Sequence, residues 1–461
     1  MSTTQRPPNS PTWKCPGMTT ETEVNLDHLA ASVEGIVGAE HIRTGERTEA
    51  HAIGAQTPHV VAVPGTPEEI AALLRVADEA GAAVVPWGGG TQQTLGYSPR
   101  RYDLALSLRR LNAVIEYHPE DMTIAVEAGI TLGDLDGVLA ARNQMLPLDP
   151  PLRDRITLGG IFATNASGPR RHGYGTLRDF CIGLNAAYVD GTLAKAGGMV
   201  VKNVTGFDLM KMHLGALGTL AVVPRINLKV LPKPAAERSL VLQFAGPEPA
   251  FAAAAALAAS QLRPMAIEFS SPTTTAAILS PLDGYLICVR CEGGEATVAR
   301  QEKEIRDRGA TMGAMDIATV IGDEHIRLWT SLADWNATAT LTAHTAVLKL
   351  TTLPTDLLAA VTEIVEAGRQ YGLTVAVRAS VGMGVAYMRV TGDASGEGLR
   401  RTLDVAQPRW PTLTVYGCDP AHAETLPVWG IEPPTISVMR DLKAAYDPNG
   451  TLNPGRFIGG I

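Results

Sequence analysis

The apolar segment from residue 197 to residue 223, GGMVVKNVTGFDLMKMHLGALGTLAVV, constrains the fold most strongly because glycine interrupts it repeatedly. The interrupting residues are Gly197, Gly198, Gly206, Gly215 and Gly218. A glycine inside an apolar segment usually marks a bend, or a contact too close for a Cβ atom. We therefore predict that the backbone here approaches a bound ligand closely, with Lys202, Asn203 and Asp208 as nearby polar residues.

A second glycine-rich segment ends a predicted strand, helix and strand between residues 59 and 91. Thr66 is the predicted N-cap of the helix, Pro67 its first residue and Glu69 the partner in a capping box. The second strand then leads into Pro86-Trp87-Gly88-Gly89-Gly90-Thr91. Consecutive glycines let successive N–H groups converge on an anion, so the loop can hold a phosphate. A plain turn is the alternative.

Two familiar nucleotide motifs do not match this loop. A Rossmann site has G-x-G-x-x-G after the first strand and at the start of a helix. The loop here follows the second strand and leads to a predicted strand over residues 102–108. The sequence also lacks G-x-x-x-x-G-K-[ST], so we exclude both classes of site.

A third segment, residues 149–169, is rich in Gly, Ala, Ser and Thr. Its small side chains leave room for a flat ring, and Thr164 and Asn165 can supply hydrogen bonds. Tight helix packing would explain the same composition.

Composition indicates a folded protein with several domains. A length of 461 residues predicts two or three domains, and a net charge of −8 without a basic block argues against a nucleic-acid partner. The five cysteines form no disulfide framework, which indicates a reducing compartment. Cys288 and Cys291 occupy a predicted strand whose alternation places them on opposite faces. The sequence contains no apolar run of about 18 residues, so it predicts no membrane span.

Together these segments resemble the FAD domain of the vanillyl-alcohol oxidase and p-cresol methylhydroxylase family. The similar motifs are PWGGGT, TLGGIFATNASGPRRHGYGTLRD, DGTLAKAGGMVVKNVTGFD and LGALGTLAVV, in that order. Within the family, the chain is similar to the smaller FAD-binding subunits of bacterial glycolate oxidases. Residues 442–456 resemble the closing motif of the family.

The resemblance implies an α+β fold with a two-subdomain FAD-binding domain and an α+β cap domain. We expect a flexible arm over residues 1–24, the FAD-binding domain over 25–234 and the cap over 235–424. Residues 425–461 are expected to return to the FAD-binding domain.

The resemblance also implies a set of residues around FAD. The expected cofactor-binding residues are Pro86, Trp87, Gly88, Gly89, Gly90, Thr91, Pro147, Thr157, Gly159, Gly160, Thr164, Asn165, Gly168, Tyr174, Gly175, Arg178, Lys202, Thr219 and Asn453. Family members with covalent FAD often carry His in the glycine loop, where this chain has Gly90-Thr91-Gln92. We therefore expect FAD to bind non-covalently. Lys202 either stabilises reduced flavin or caps a turn.

The implied activity is oxidation of a small 2-hydroxy acid such as glycolate or D-lactate. This reaction needs a cation for the carboxylate, a base for the hydroxyl proton and the substrate Cα placed against flavin N5. The candidates in the cap are Arg378, Arg389, Tyr387 and His344. Structural roles for these residues are the alternative.

One departure from the family leaves two functions open. The sequence lacks the H-x-G-D-G-N-x-H motif of larger glycolate oxidase subunits and D-lactate dehydrogenases, so no metal site is expected. The chain is therefore either a dehydrogenase subunit that oxidises substrate or a non-catalytic FAD-binding subunit for electron transfer or assembly. Expected partners are a second FAD subunit and an iron–sulfur subunit. We expect a cytoplasmic location, with any membrane contact made through a partner.

Overall fold

The computed structural model describes residues 24–200, 208–279, 282–392 and 396–461. Lys202 and Asn203, together with nearly all of the predicted N-terminal arm, lie outside the described residues.

A four-stranded sheet forms around the glycine loop of residues 86–91. Its strands are β1 (Ile42–Thr44), β2 (Val60–Ala62), β3 (Val84–Trp87) and β4 (Leu104–Ser107), in the order β1-β2-β4-β3. Strands β2, β4 and β3 are parallel, and helices α1 (Leu26–Val37) and α2 (Pro67–Glu79) pack beside them. The strands form because short runs of Val, Leu and Ala are buried on both faces, as is typical of parallel sheets.

Helix α2 begins as predicted, with one difference in its capping. The Thr66 hydroxyl accepts a hydrogen bond from Glu69 N at 3.1 Å. The Glu69 carboxylate accepts from Gly65 N at 2.6 Å rather than from the N-cap residue itself. The Glu69 carboxylate thus binds the backbone N–H of Gly65, the residue before the N-cap, whereas in a capping box it binds the N–H of the N-cap residue.

A five-stranded antiparallel sheet follows. Its strands are β5 (Val114–His118), β6 (Thr123–Glu127), β8 (Cys181–Ala187), β9 (Leu193–Gly197) and β10 (Val222–Lys229), in the order β5-β6-β10-β8-β9. The strand β7 (Gln144–Met145) pairs separately with β11 (Leu231–Pro232). The helices of this part are α3 (Leu132–Ala140), α4 (Leu158–Thr164), α5 (Arg171–Tyr174), α6 (Leu177–Phe180) and α7 (Met210–His213). Ile161 and Phe162 of α4 are buried in the core of this part, which fixes the position of the helix.

An eight-stranded antiparallel sheet occupies most of the remaining chain. Its strands are β12 (Ala236–Phe244), β13 (Ala266–Ser270), β14 (Tyr285–Gly293), β15 (Asp316–Val320), β16 (Thr345–Thr351), β17 (Thr374–Ser380), β18 (Val385–Thr391) and β19 (Thr414–Gly417). Their order is β15-β12-β14-β13-β17-β18-β16-β19. The helices are α8 (Pro247–Ala258), α9 (Pro272–Leu279), α10 (Glu295–Thr311), α11 (Gly322–Asp334), α12 (Leu357–Gln370) and α13 (Glu397–Ala406).

The two faces of this large sheet differ. One face packs in a long apolar core that includes residues of α8, α10, α12 and α13. Cys291 belongs to this core, whereas Cys288 packs with Trp329 on the opposite face. The prediction that the two cysteines point to opposite faces is therefore confirmed.

The last part of the chain contains α14 (Pro420–Ala423) and α15 (Ile436–Tyr446) and then runs beside β3. Val84 N donates to Thr451 O at 2.7 Å, and Asn453 N donates to Val84 O at 2.9 Å. These bonds bring Asn453 and Arg456 next to the glycine loop that follows β3. The division into domains at residues 234 and 424 stays a prediction.

Candidate functional site

A cleft of about 860 Å³, including its open mouth, lies between the four-stranded sheet, the five-stranded sheet and the C-terminal segment. It is lined by Pro86, Trp87, Gly88, Gly89, Gly90, Thr91, Gln92, Gln93, Leu95, Leu108, Thr157, Gly159, Gly160, Phe162, Ala163, Thr164, His213, Leu217, Gly218, Ala221, Val222, Val223, Asn453 and Arg456. The walls thus combine backbone, small residues and aliphatic side chains with a few polar groups, as ligand clefts commonly do.

The glycine loop forms one wall because it packs directly on the segment before α4. A Cβ atom on Gly89 would overlap the carbonyl oxygen of Arg155, and one on Gly88 would overlap the Thr157 hydroxyl. Gly90 has a φ of +70°, a conformation that favours glycine. Gly89 is therefore required for the approach of two backbone segments, Gly88 for the contact with the Thr157 side chain and Gly90 for its backbone conformation.

Helix α4 forms the facing wall. The Thr157 hydroxyl caps the helix by accepting from Gly160 N at 3.2 Å. The Thr164 hydroxyl donates to Gly160 O at 2.7 Å, so neither threonine hydroxyl is free of the helix. A Cβ atom on Gly160 would contact only the Thr157 hydroxyl oxygen at 3.3 Å and the Ile156 Cγ1 atom at 4.0 Å. The small residue at this position leaves space in the cleft.

Arg456 gives the cleft a buried positive charge. Its side chain donates to Gln93 Oε1 and to Gln93 O, each at 2.7 Å, and the residue is only 5% exposed. Burial lowers the pKa of Arg456 to about 10, so the guanidinium still carries its charge at neutral pH. Among the described residues no carboxylate forms an ion pair with it. A buried cation without a counter-charge suits a cleft that takes an anionic ligand.

The residues of the cleft fit FAD. The glycine loop and Arg456 offer converging backbone groups and a positive charge to a pyrophosphate, and the small residues of α4 leave room for a flat ring. Asn453 is held at the same wall, because its Nδ2 donates to Leu217 O at 2.5 Å.

The structure brings many of the predicted cofactor residues together. Those that line the cleft are Pro86, Trp87, Gly88, Gly89, Gly90, Thr91, Thr157, Gly159, Gly160, Thr164 and Asn453. Those that do not are Pro147, Asn165, Gly168, Tyr174, Gly175, Arg178 and Thr219. Asn165 ends α4 with a φ of +49°, and the Thr219 hydroxyl donates to Ala216 O. Arg178 is exposed on α6.

Tyr174 lies in a different environment, a buried network of charges beside the large sheet. Its hydroxyl donates to Glu292 Oε2 at 2.6 Å. Arg170 Nε donates to Glu292 Oε1 at 2.9 Å, and its NH2 group donates to Glu237 Oε1 at 3.1 Å. Arg290 forms ion pairs with both Glu237 and Glu292. Tyr174 thus holds the segment after α4 on the large sheet.

Several cleft residues were not predicted from the sequence. They are Gln92, Gln93, Leu95, Leu108, Phe162, Ala163, His213, Leu217, Gly218, Ala221, Val222, Val223 and Arg456. The glycine-interrupted segment that predicted a ligand contact does contain six of them: His213, Leu217, Gly218, Ala221, Val222 and Val223. Phe162 and Ala163 belong to the segment that predicted room for a flat ring. The aliphatic residues carry no signal of their own, because their pattern is that of any core strand.

Three of the four predicted catalytic residues share one face of the large sheet. Arg378 on β17 is paired directly with Tyr387 on β18, and its guanidinium lies 5.0 Å from the centre of the Tyr387 ring. Arg378 is only 2% exposed and donates to Leu332 O at 2.7 Å. It also lies 3.7 Å from Glu268, whose pKa is raised by burial. Arg378 is thus held inside the protein.

Arg389 is more accessible than Arg378 on the same face. Its guanidinium lies 4.7 Å from the centre of the Trp335 ring and bonds to Trp335 O. Burial lowers its pKa. His344 precedes β16, is exposed, and its ring makes no hydrogen bond among the described residues. The structure therefore does not bring His344 together with the other three.

A hydrogen bond connects this face to the cleft. The Tyr416 hydroxyl of β19 donates to Gln92 Oε1 at 2.9 Å, and Gln92 lines the cleft directly after the glycine loop. The Tyr416 ring lies 5.2 Å from the Tyr387 ring. Lys349 lies on the same face, 5.7 Å from the centre of the Tyr387 ring and 5.9 Å from that of Tyr416. The face that carries these tyrosines and cations is thus joined to the cleft wall through Tyr416 and Gln92.

Other classes of site have no support in the described parts of the chain. Residues 24–200, 208–279, 282–392 and 396–461 contain no group of three or more His, Cys, Asp or Glu side chains that could hold a metal ion. Within the same ranges, every helix is too short or too polar to cross a membrane.

Two family models match the chain. The FAD binding domain matches residues 58–197, and the C-terminal domain of FAD linked oxidases matches residues 233–410 and 429–457. The matches include the glycine loop, α4, strands β12 to β18 of the large sheet and the C-terminal wall of the cleft.

The chain is similar to two glycolate oxidase subunits and a D-lactate dehydrogenase. The chain is 25% identical over 420 residues to glycolate oxidase subunit GlcD of Bacillus subtilis, which covers 87% of this chain and 89% of that protein. It is 34% identical over 194 residues to glycolate oxidase subunit GlcE of Escherichia coli, covering 42% of this chain and 51% of that protein. A D-lactate dehydrogenase of Archaeoglobus fulgidus is 31% identical, covering 53% of this chain and 54% of that protein.

Solved structures share the fold. The p-cresol methylhydroxylase structure with substrate bound superposes with a TM-score of 0.75 at 17% identity, covering 94% of this chain and 97% of that chain. Identity this low shows the fold alone. The predicted α+β fold, an FAD-binding domain of this type with an α+β cap, is confirmed.

Proposed function

Because the chain belongs to the FAD-linked oxidases, we propose that it oxidises a small 2-hydroxy acid, such as glycolate or D-lactate, and passes the electrons to a partner. Its nature as an FAD-linked oxidoreductase, predicted from the sequence, is confirmed by the two matching family models. Glycolate oxidase subunits and a D-lactate dehydrogenase among its relatives support this substrate class. Bound FAD supplies the hydride acceptor of the reaction, flavin N5.

One observation carries the proposal: a sheet face that carries cations and tyrosines is hydrogen-bonded to the wall of a cleft suited to FAD. The hydrogen bond between Tyr416 and Gln92 holds that face against the glycine loop. A substrate bound between this sheet face and the glycine loop would have its carboxylate near the cations and its hydroxyl near the phenol oxygens of the tyrosines.

Arg389 and Lys349 are proposed to bind the substrate carboxylate. Both are partly exposed, whereas Arg378 is buried and occupied by Leu332 O and Glu268. Stacking on Trp335 orients the Arg389 guanidinium, so it offers a fixed fork to a carboxylate.

Tyr387 is proposed to accept a hydrogen bond from the substrate hydroxyl through its phenol oxygen, and Arg378 to position Tyr387. The Arg378 guanidinium covers the Tyr387 ring from the adjacent strand, and Tyr416 packs edge-on against it. The ring is therefore held on both sides. His344 has no such support, since it is exposed and away from this face.

The remaining expectations on the cofactor belong to the same proposal. FAD is held non-covalently, and the predicted residues that line the cleft contact it. We further propose that a second FAD subunit and an iron–sulfur subunit accept the electrons. The chain carries five cysteines, and the four described ones are free and do not form a cluster.

An anaerobic visible spectrum of the purified chain tests this function. We expect a flavin band near about 450 nm, a property of the cofactor, that bleaches when glycolate or D-lactate is added. Bleaching by dithionite alone would favour the alternative, a non-catalytic FAD-binding subunit for electron transfer or assembly. Absence of flavin after incubation with FAD would overturn both.

A further inference from the structure

His213 is a polar residue in the most apolar part of the cleft wall. It is the last residue of α7, is 4% exposed, and lines the cleft near Leu217, Val222 and Val223. Its Nε2 lies 3.0 Å from the Tyr188 hydroxyl. The rings of Tyr188 and Tyr446 pack around it at 5.7 and 6.2 Å between ring centres.

The second ring nitrogen of His213, Nδ1, has no hydrogen-bond partner in the described parts of the chain. Among the described residues, only Tyr188 bonds to this ring, and it bonds to Nε2. Nδ1 is also not fully enclosed by the protein. Because the residue is almost completely buried yet lines the cleft, the accessible edge that carries Nδ1 faces the cleft.

The ring is neutral and its proton is constrained. Burial lowers the pKa of His213 to about 4, so the imidazole is uncharged at pH 7. When Tyr188 donates to Nε2, Nδ1 carries the proton and is a donor; when Nε2 donates to Tyr188, Nδ1 is an acceptor. In both cases one specific hydrogen-bonding atom is presented to the ligand.

A purely structural role would be filled better by an apolar side chain. Phenylalanine or leucine would pack against Tyr188 and the aliphatic wall without leaving a polar nitrogen unpaired. Burying an unpaired polar group carries a cost in free energy. A ligand that fills the cleft and displaces water from Nδ1 therefore has to offer this atom a hydrogen-bond partner.

We propose that His213 is a cofactor-binding residue that donates to or accepts from FAD through Nδ1, with Tyr188 holding the ring in place. This inference rests on the proposed function only in that the cleft takes FAD. FAD offers suitable polar atoms on the flavin, the ribityl chain, the ribose and the adenine.

The test measures FAD and FMN binding to the cofactor-free protein, by flavin fluorescence and by the visible spectrum of the complex. His213→Asn places an amide close to the position of Nδ1, whereas His213→Gln places one close to Nε2. We expect His213→Leu and His213→Gln to weaken FAD binding roughly 5- to 100-fold, and His213→Asn to keep most of the affinity.

The two cofactors locate the contact. Weaker binding of both FAD and FMN to His213→Leu would place Nδ1 against the flavin half. Weaker binding of FAD alone would place it against the adenosine half. Either result supports the inference.

Controls separate this inference from the fold and from the proposed function. His28→Leu, at an exposed position on α1, should bind FAD as the unmodified protein does. His213→Phe keeps an aromatic ring and replaces His213→Leu if that variant does not fold. Unchanged affinity and spectrum in folded His213→Leu or His213→Phe would overturn the inference. A folded, unmodified chain that binds no FAD would overturn the proposed function instead.

Discussion

Gly89 shows how strongly a single residue is constrained by the packing of the glycine loop. Its α-carbon lies so close to the carbonyl oxygen of Arg155 that any side chain must displace one of the two segments. The sequence predicted that glycine would be needed for close approach to a ligand. The structure adds that the protein backbone itself is the near neighbour.

We therefore predict that Gly89→Val, and even Gly89→Ala, weakens FAD binding. Overpacking typically costs about 1–3 kcal/mol, which corresponds to roughly 5- to 150-fold in the FAD dissociation constant if the loop shifts. The measurement is flavin bound per folded protein, with folding checked by circular dichroism.

Gly35→Ala is the matched control, because a Cβ atom on Gly35 in α1 has open space around it. This variant should retain its flavin. Full flavin content in a folded Gly89→Val protein would remove the glycine loop from the phosphate site.

At the scale of elements, β17 and β18 present the predicted catalytic side chains on one face because residues two apart on a strand point the same way. The register pairs Tyr387 with Arg378 and with Lys349 of β16. Arg389 follows two residues after Tyr387 on the same strand. The cations of this face are thus fixed by strand pairing rather than by loops.

We predict that Arg389→Gln raises the KM for a 2-hydroxy acid while flavin content is unchanged. Loss of a hydrogen bond to a charged group costs about 1.5–3 kcal/mol, or roughly a 10- to 150-fold decrease in kcat/KM. Steady-state kinetics with an artificial electron acceptor would measure it.

Arg409→Gln serves as the control, since Arg409 is a mostly exposed cation between α13 and β19 that pairs with Glu363 of α12. It should leave kcat/KM unchanged. Equal kinetics for Arg389→Gln and the unmodified chain would exclude Arg389 as the carboxylate ligand.

The sequence predicted the elements around the cleft better than it predicted the cleft. Thr66, Pro67 and the Gly88–Gly90 loop have local signals, and α2 and the loop form where those signals lie. Val222, Phe162 and Arg456 lie in segments that the sequence singled out, but none of the three has a signal of its own for ligand contact. They reach the cleft through the pairing of β10 with β6 and β8, the packing of α4 and the return of the C-terminal segment. Such contacts depend on tertiary structure, which a residue pattern does not contain.

At the scale of the whole molecule, a buried network of charges joins the segment after α4 to the large sheet. Arg170 is its centre: the backbone N–H donates to both Asp149 carboxylate oxygens at 3.0 Å, and the side chain bonds to Glu292 and Glu237. His325 lies 3.0 Å from Glu237 and adds a further bond from α11. Burial opposes the ionisation of Glu237, yet the bond from His325 and the charges of Arg290 and Arg170 lower its pKa to about 2.

The network therefore couples the position of the large sheet to that of the cleft-forming segments. Asp149, Arg170 and Tyr174 lie on one side, and Glu237, Arg290 and Glu292 on the other. We predict that Arg170→Met lowers the free energy of unfolding by about 3–5 kcal/mol, because it leaves buried carboxylates with fewer counter-charges. Tryptophan fluorescence during urea unfolding would report the loss, since Trp329 lies 5.5 Å from the Arg290 guanidinium within this network.

Removal of a surface ion pair is the appropriate comparison. Lys303→Met breaks the exposed pair with Asp307 on α10, and we expect no measurable change in unfolding. The charge network also predicts non-additivity: once Arg170 is methionine, Glu292→Gln should cost less than it does in the unmodified chain, because the amide removes a carboxylate that has lost a partner. Additive losses, or a loss for Arg170→Met as small as that for Lys303→Met, would show that the two parts of the molecule are held together by their apolar contacts instead.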